Sequence, residues 1–263
     1  PNFLSEINNF SRREVTSFAY LSIEKILGYS KSDCIIYSNQ ELTNDNIISL
    51  ENIISDLKQN IPIQYILGEA HFYDLKFKVN SSTLIPRGET EELVQYILLH
   101  DFISVLEIGT GSGCIAISIA KNSNSKITAI DNSIEALEIA KSNAILNSVK
   151  INFVLSDVFN FSDTKKYDLI VSNPPYVLES EKKLMDKNVL DYEPHNALFV
   201  RDNDPLVYYN EIAKITKNIL NKNGLLFFEI NENYSKQIIE LLSNLLLSIA
   251  AFSFCLALGI VIH

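Results

Sequence analysis

The first part of the chain carries apolar side chains every three to four residues, the spacing of one face of an α-helix. One stripe consists of Val15, Phe18, Ala19, Ile23 and Ile26. It stops before Gly28, a residue type that is common just after a helix ends. The second stripe consists of Ile47, Leu50, Ile54 and Leu57. Thr43 precedes this stripe as a candidate N-cap. We therefore expect residues 1–67 to form a small helical domain.

The pattern then changes from helical spacing to alternation. Leu75, Phe77 and Val79 alternate with polar residues, which predicts a hairpin or short ribbon between Phe72 and Ile85. Residues 68–90 are accordingly predicted to be a hairpin and linker between two domains.

After this linker, short apolar runs are separated mostly by helical segments. Such runs are typical of strands that are buried on both faces of a parallel sheet. The predicted strands cover 103–108, 127–130, 151–155, 167–172 and 224–230. The clearest predicted helices cover 113–121, 133–146 and 206–221. This order predicts an α/β fold with a doubly wound, Rossmann-like sheet over residues 91–240.

Composition and charge narrow the class of partner. The 263 residues are 47% hydrophobic and 21% charged, as in a folded globular protein. Lys and Arg number 22 against 32 Asp and Glu, a formal net charge of −10, which disfavours nucleic acid as the principal partner. Cys34, Cys114 and Cys255 form no C-x-x-C pair. We therefore expect neither a disulfide framework nor a metal site, and a cytoplasmic location.

A glycine-rich turn follows the first predicted strand of the sheet. It consists of Gly109, Thr110, Gly111, Ser112 and Gly113. Strand-to-helix turns at this place are where open α/β sheets bind ligands. Its G-x-G-x-G spacing differs from the dinucleotide fingerprint G-x-G-x-x-G, so the turn need not receive a pyrophosphate.

Acidic residues end the next two strands. Asp131 ends the second strand, where an acid can hydrogen-bond both hydroxyls of a ribose. Asp157 ends the third strand, beside the expected place of an adenine amino group, and Val158 offers the ring an apolar surface. The turn and these acids predict a pocket for an adenosine ligand without phosphate. S-adenosylmethionine is the ligand that fits this description best.

The fourth predicted strand runs into Asn-Pro-Pro-Tyr. The Asn173 side-chain oxygen and the Pro174 carbonyl can accept the two N–H groups of an amide or aromatic amine and aim its nitrogen at a methyl group. Pro175 stiffens this turn, and Tyr176 can pack on the flat face of the substrate. Catalytic roles are therefore predicted for Asn173, Pro174 and Tyr176, and substrate binding for all four residues. No metal or strong base is needed.

The glycine turn followed by Asn-Pro-Pro-Tyr resembles the motifs of the amino-group methyltransferases. These enzymes act on adenine in nucleic acid, on guanine in rRNA or on glutamine in protein. Two further segments, PIQYILGEAHFYDLKFKVNSSTLIPRGETEELV (62–94) and DYEPHNALFVRDNDPLVYYNEI (191–212), narrow the resemblance. They are similar to the peptide chain release factor glutamine methyltransferase family, also called PrmC or HemK. The similarity spans roughly residues 10–240.

The resemblance implies methyl transfer from S-adenosylmethionine to the glutamine amide of the Gly-Gly-Gln motif in peptide chain release factors. It places Gly109–Gly113, Asp131 and Asn173 at cofactor positions and Glu107 near the methionine end of the cofactor. It also implies that Arg87, Glu89 and Thr90 border the pocket, with Gly88 where the family pattern has proline. The helical domain is expected to bind a protein substrate.

Two alternatives remain open at the level of sequence. The first is an adenine amino-group methyltransferase on DNA or RNA. The second is a non-catalytic, membrane-associated binding protein, because residues 241–263 are apolar and long enough to span a bilayer. The family's sheet normally gains two further strands here, so we favour an altered C-terminus over a membrane anchor.

Overall fold

A computed structural model describes Ile7 and residues 10–246 of the chain. Within it, the contacts divide the protein into two units. The first contains residues up to Gly68 together with Asp186–Tyr192, and the second contains Glu69–Met185 and the residues from Glu193 onward. The boundaries 1–67, 68–90, 91–240 and 241–263 stay predictions, and most of the apolar tail, residues 247–263, lies outside the described residues.

The first unit is helical, as its two apolar stripes predict. Its helices from the N-terminal part are α1 (Arg12–Leu27), α2 (Lys31–Ile36), α3 (Asn44–Lys58) and α4 (Ile63–Leu67). Ser11 and Glu14 form a capping box at the start of α1, and Gly28 ends this helix with φ of +70°. The Thr43 hydroxyl accepts from the Asn46 N–H and caps α3. The short helices α2 and α4 escaped prediction because fewer than two turns give no readable periodicity.

The core of the first unit joins the two predicted stripes. The buried members of this core are Ile7, Val15, Leu50, Ile53, Ile54, Leu57 and Ile63. The Tyr192 hydroxyl, which belongs to the same unit, donates to the carbonyl of Gln59 at 2.8 Å. The segment Asp186–Tyr192 is thereby held to helices that lie more than a hundred residues earlier in the chain.

The second unit begins with a hairpin of two strands, β1 (Glu69–Phe72) and β2 (Leu75–Lys78), paired antiparallel with Phe72 opposite Leu75. The prediction placed this ribbon between Phe72 and Ile85, several residues too late. The turn lies at Tyr73 and Asp74, both with positive φ, and tyrosine is not a residue type that signals such a turn.

A five-stranded parallel sheet forms the centre of the second unit. Its strands are β3 (Ser104–Ile108), β4 (Lys126–Asp131), β5 (Asn152–Leu155), β6 (Tyr167–Ser172) and β9 (Leu220–Phe228). They lie in the order β5-β4-β3-β6-β9. A separate short parallel pair is formed by β7 (Val177–Leu178) and β8 (Phe199–Val200). Strand β9 starts four residues before the predicted 224, because its polar opening LNKN gave no apolar signal.

Helices cover both faces of this sheet. They are α5 (Gly88–Ile97), α6 (Cys114–Asn122), α7 (Ile134–Leu146), α10 (Val207–Ile219) and α11 (Ser235–Leu246). Of the two remaining short helices, α8 (Lys187–Tyr192) belongs to the first unit and α9 (His195–Leu198) to the second. Val105 of β3 packs in one core with α5, α6 and α7. Its neighbour Leu106 packs in another core with α10 and α11. The predicted doubly wound α/β fold is therefore confirmed.

Within residues 10–246, none of the helices is both long enough and apolar enough to cross a bilayer.

Candidate active site

The strand order reverses direction between β3 and β6. Chain connections leave β3 toward β4 and β5 on one side, and β6 leads to β9 on the other. Open α/β sheets bind ligands in the crevice at the carboxyl ends of the two strands where the order reverses. The glycine turn follows β3 and Asn-Pro-Pro-Tyr follows β6, so the topology brings both sequence motifs to this crevice.

A pocket with an empty volume of about 1060 Å³, including open solvent at its mouth, occupies this crevice. It is lined by nine of the predicted site residues: Gly109, Thr110, Gly111, Ser112, Asp131, Val158, Asn173, Pro174 and Pro175. Further lining residues are Ser82, Thr83, Leu84, Pro86, Arg87, Thr90, Glu107, Ile108, Cys114, Ile115, Ile130, Asn132, Ser133, Ala136, Ser156, Ser172, Asn196, Ala197, Tyr208 and Ile212. All of them belong to the second unit.

Backbone hydrogen bonds set the conformation of the glycine turn. The N–H groups of Gly109 and Thr110 both donate to the carbonyl of Ile130, at 2.9 and 3.0 Å. Gly113 has φ of +82°, and a Cβ there would lie 2.9 Å from Ile117 Cδ1 and 3.2 Å from Ala140 Cβ. The last glycine is therefore required both by its backbone conformation and by the close approach of α7.

Glu107 lies beneath the turn, at the end of β3. It is 1% exposed, and the Thr110 hydroxyl donates to its carboxyl group. Burial raises the pKa of Glu107 to about 8, although the hydrogen bond from Thr110 acts in the opposite direction. A neutral carboxylic acid at this depth costs far less desolvation energy than a carboxylate.

Asp131 connects the glycine turn to the start of α7. One of its carboxylate oxygens accepts from the Gly111 N–H at 2.8 Å, and the other accepts from the Ser133 N–H at 2.9 Å. Burial raises the pKa of Asp131, and these backbone donors lower it. The two bonds fix the carboxylate in the pocket wall, and each oxygen keeps a further lone pair for a hydroxyl of a ligand.

The Asn-Pro-Pro-Tyr turn is anchored before and after its prolines. The Ser172 hydroxyl donates to the carbonyl of Ile108 at 2.7 Å and ties the end of β6 to β3. The Tyr176 hydroxyl donates to a Glu229 oxygen at 3.0 Å. Pro174 is buried, whereas Asn173 is partly exposed to the pocket that it lines.

Glu229 follows the last residue of β9 and is 8% exposed. Its second oxygen accepts from the Thr90 hydroxyl at 2.7 Å. Burial raises the pKa of Glu229, and the hydrogen bonds from Thr90 and Tyr176 act in the opposite direction. Glu229 was not among the residues predicted for the site. Its position near the end of the fifth predicted strand could have indicated a site residue, because Asp131 was predicted from a similar position at the end of the second strand.

Arg87 and Glu193 join two further parts of the pocket wall. The Arg87 guanidinium lies 2.7 Å from a Glu193 oxygen, and the other oxygen accepts from the Ile85 N–H at 3.2 Å. Residues just before Arg87 and residues just after Glu193 line the pocket. The family-derived expectation placed Arg87, Glu89 and Thr90 along the pocket; Arg87 and Thr90 line it, whereas Glu89 is exposed.

Asn143 of α7 was also not among the residues predicted for the site. It is fully buried, and its side-chain NH₂ donates to the carbonyls of Ser112 and Lys78, each at 2.9 Å. Its oxygen accepts from the Lys78 N–H at 2.7 Å. In the sequence, its only distinguishing feature is a polar side chain within an apolar helical stripe.

Three predicted site residues lie outside the pocket lining. Gly113 starts α6 and packs against α7. Asp157 caps the 3₁₀ turn Val158–Asn160 by accepting from the Phe159 N–H at 3.0 Å. Tyr176 turns its hydroxyl to Glu229. Their predicted roles in binding or catalysis stay predictions.

The charges of the lining suit S-adenosylmethionine. Among the lining residues, Arg87 is the one with a cationic side chain, and Glu193 neutralises it. A phosphate group would therefore meet no unpaired positive charge in this wall. Glu107 and Asp131 supply acidic groups, and Ile130, Val158 and Ile212 supply apolar surface, which together suit a cationic, phosphate-free adenosine ligand.

Comparisons with known proteins support the same interpretation. The profile of the PrmC N-terminal domain matches residues 3–68, and that of the methyltransferase small domain matches residues 85–191. The release factor glutamine methyltransferase of Flavobacterium psychrophilum is 46% identical over 242 residues, covering 89% of this chain and 85% of the relative.

Two further relatives with the same name extend this result. That of Bacteroides thetaiotaomicron is 44% identical and covers 87% of this chain and 84% of the relative. That of Streptococcus pneumoniae is 40% identical and covers 91% of this chain and 86% of the relative. The resemblance drawn from the sequence is confirmed, and the chain belongs to the release factor glutamine methyltransferase family.

Proposed function

We propose that this protein methylates the side-chain amide nitrogen of the glutamine in the Gly-Gly-Gln motif of peptide chain release factors. S-adenosylmethionine is the methyl donor, and it supplies an electrophilic methyl group on a cationic sulfur. The observation that carries the proposal is the meeting of Asn-Pro-Pro-Tyr and the glycine turn in one pocket at the reversal of the strand order.

Asn173 and Pro174 are proposed to bind the reacting amide. An amide nitrogen is a poor nucleophile because its lone pair is delocalised into the carbonyl group. The Asn173 side-chain oxygen accepts one N–H, and the Pro174 carbonyl accepts the other. These bonds orient the nitrogen and stabilise the positive charge that develops on it during transfer. Pro175 donates no N–H, so it does not compete for these acceptors.

The wall formed by the glycine turn is proposed to hold the donor. Asp131 presents two oxygens to the ribose hydroxyls, and Val158 packs against the adenine ring. Asp157 is proposed to lie near the adenine amino group, and Tyr176 to pack beside the substrate amide. No strong base is required, because the methylated nitrogen becomes acidic and releases its proton to water.

The acidic chain also favours a protein over a nucleic-acid substrate, given its net charge of −10. The relatives do not favour the adenine methyltransferase or the non-catalytic membrane-associated alternative. Because release factors act in translation, we propose that the protein works in the cytoplasm. The N-terminal helical unit is proposed to bind the release factor.

The test is transfer of a labelled methyl group from S-adenosylmethionine to a purified release factor. A copy of the factor with the motif glutamine changed to alanine serves as the control. We expect label in the intact factor alone. Label in nucleic acid but not in the factor, or equal label in both factors, would contradict the proposal.

A further inference from the structure

Tyr208 is an aromatic residue of the pocket wall to which the reaction outlined above gives no role. Among the described residues that line the pocket, it is the one with an aromatic ring. Tyr208 is partly buried and belongs to α10, and Ile212 follows one turn later on the same side of this helix. Helix α10 therefore presents one aromatic and one aliphatic side chain to the pocket.

The part of the pocket around Tyr208 lies next to Asp131. The Ser156 N–H donates to the backbone carbonyl of Asp131 at 2.9 Å, so the chain that follows β5 runs beside the end of β4. Two residues later, Val158 starts the 3₁₀ turn and packs in the same core cluster as Ile212. The pocket wall therefore continues from Asp131 through Ser156 and Val158 to α10.

Contacts outside the pocket hold the Tyr208 ring in place. Phe159, in the 3₁₀ turn, lies against it with 5.6 Å between the ring centroids and 50° between the ring planes. Asp157 caps this turn by accepting from the Phe159 N–H at 3.0 Å. The next residue of α10, Tyr209, is 1% exposed and donates to the carbonyl of Glu229, which fixes the rotation of the helix. A ring that is already ordered loses little conformational entropy when a ligand binds.

An adenine ring matches this part of the pocket chemically. Its two faces are flat and apolar, and they stack on aromatic side chains. Asp131 is proposed to bind the ribose hydroxyls, and the base is attached directly to that ribose. The methionine end of the donor is expected near Glu107. The base therefore falls in the neighbouring part of the pocket, where Val158 and Tyr208 lie.

We propose that Tyr208 stacks on the adenine ring of the methyl donor and is a cofactor-binding residue. This inference rests on the proposed function, because it uses the placement of the ribose at Asp131. Val158 and Ile212 add aliphatic contacts, but they offer no flat surface of their own to a base. The competing explanation is a purely structural role, in which the Tyr208 ring only supports Phe159 and the 3₁₀ turn.

The first arm of the test measures binding of S-adenosylhomocysteine, the product form of the donor, by isothermal titration calorimetry. Tyr208→Leu keeps an apolar side chain but removes the ring, and Tyr208→Phe keeps the ring. We expect Tyr208→Leu to raise the Kd about fivefold or more, and Tyr208→Phe to stay within about twofold of wild type. Tyr96→Leu is the control, since Tyr96 is an exposed tyrosine of α5 outside the pocket lining, and it should leave the Kd unchanged.

The second arm uses the absence of tryptophan from the sequence. Tyr208→Trp gives the protein a single indole ring at the proposed stacking position, and an adenine stacked on an indole quenches its fluorescence. We expect S-adenosylhomocysteine to quench the emission of Tyr208→Trp with a midpoint at the measured Kd. The emission of the control Tyr96→Trp should stay constant. This arm gives a result even if Tyr208→Leu fails to fold.

Three results would overturn the proposal. One is a Tyr208→Leu protein with wild-type Kd. Another is a Tyr208→Phe protein that binds as weakly as Tyr208→Leu, which would assign the effect to the hydroxyl group. The third is a Tyr208→Trp protein that binds S-adenosylhomocysteine without a change in emission.

Failure of the proposed function would give a different result. The wild-type protein would bind S-adenosylhomocysteine and the Tyr208 variants would behave as expected, but no label would reach the release factor. A wild-type protein that binds no S-adenosylhomocysteine would overturn both proposals.

Discussion

The Arg87 guanidinium lies 2.7 Å from the Glu193 carboxylate, across a gap of more than a hundred residues in sequence. The two side chains differ in environment, since Arg87 is 26% exposed and Glu193 is 1% exposed. The buried Glu193 carboxylate is therefore stabilised by the Arg87 guanidinium and by the hydrogen bond from the Ile85 N–H. The pair holds together two segments that border the same pocket.

Removing the arginine leaves this buried acid without its cation. We expect Arg87→Ala to lower the free energy of unfolding by about 1–3 kcal/mol, less than for a fully buried pair because Arg87 is partly exposed. Urea unfolding followed by circular dichroism measures the change. Arg201→Ala removes an exposed arginine and is the control, expected to stay within about 0.5 kcal/mol of wild type. Equal effects of the two changes would show that the pair contributes nothing specific.

Gly113 is the position in the glycine turn where a side chain has no room. Gly113→Ala would place a methyl group 2.9 Å from Ile117 and 3.2 Å from Ala140, at a φ of +82°. We expect a loss of about 1–3 kcal/mol in stability and weaker binding of the methyl donor. Thermal unfolding and isothermal titration calorimetry measure the two effects.

A matched glycine provides the control for this change. Gly88 begins α5, its φ is not positive, and a Cβ there meets nothing within 4 Å. Gly88→Ala should therefore be neutral or stabilising by about 0.4–1 kcal/mol. If both variants behaved alike, the close approach of α7 to the turn would not matter to stability.

Asp131 is expected to contribute to donor affinity through its charge. In Asp131→Asn, one end of the new amide becomes an NH₂ group that faces the N–H of Gly111 or Ser133, so one existing bond is lost. We expect S-adenosylhomocysteine to bind about 10- to 100-fold more weakly, a loss of about 1.4–2.8 kcal/mol. Calorimetric titration measures the Kd. Asp101→Asn changes an exposed acid and should leave the Kd unaltered.

Glu107 gives the stability of the fold a specific dependence on pH. Burial raises its pKa from the ordinary value of 4.5 to about 8, so the folded state holds this proton more tightly than the unfolded state does. The contribution of Glu107 to stability is therefore fully present below about pH 4.5 and is lost as pH rises to about 8. The slope is at most about 1.4 kcal/mol per pH unit.

The variant Glu107→Gln resembles the protonated acid and does not titrate. Urea unfolding at pH 5, 6, 7 and 8 should show wild type losing stability relative to Glu107→Gln as the pH rises. Glu51→Gln, at an exposed position, should run parallel to wild type. A difference between wild type and Glu107→Gln that is constant with pH, or that grows in favour of wild type, would contradict the assignment.

The fold was readable from the sequence where the signal was local. Strands β3 to β6 and helices α6, α7 and α10 lie within one or two residues of prediction, because short apolar runs and helical stripes record burial directly. Hairpin β1–β2 was misplaced because its turn uses Tyr73 and Asp74 with positive φ, which no glycine announces. The first four residues of β9, LNKN, were missed because they are mostly polar and form no apolar run.

The candidate site was readable only in part. Residues such as Gly111 and Asn173 belong to motifs that have a chemical rationale on their own. The side chains of Glu229 and Asn143 act through partners that lie more than thirty residues away in sequence, and no spacing rule connects such residues. Their importance depends on strand register and helix docking, which a single sequence does not specify.

Asn143 also links the hairpin to the glycine turn, so a change in the turn can be detected in the hairpin. The same side chain bonds both the Lys78 backbone and the Ser112 carbonyl, although neither hairpin strand lines the pocket. A ligand that restricts the motion of the turn also restricts Asn143, and it thereby protects the amide proton of Lys78 from exchange. Slower deuterium uptake at this one amide would signal an occupied pocket from outside it.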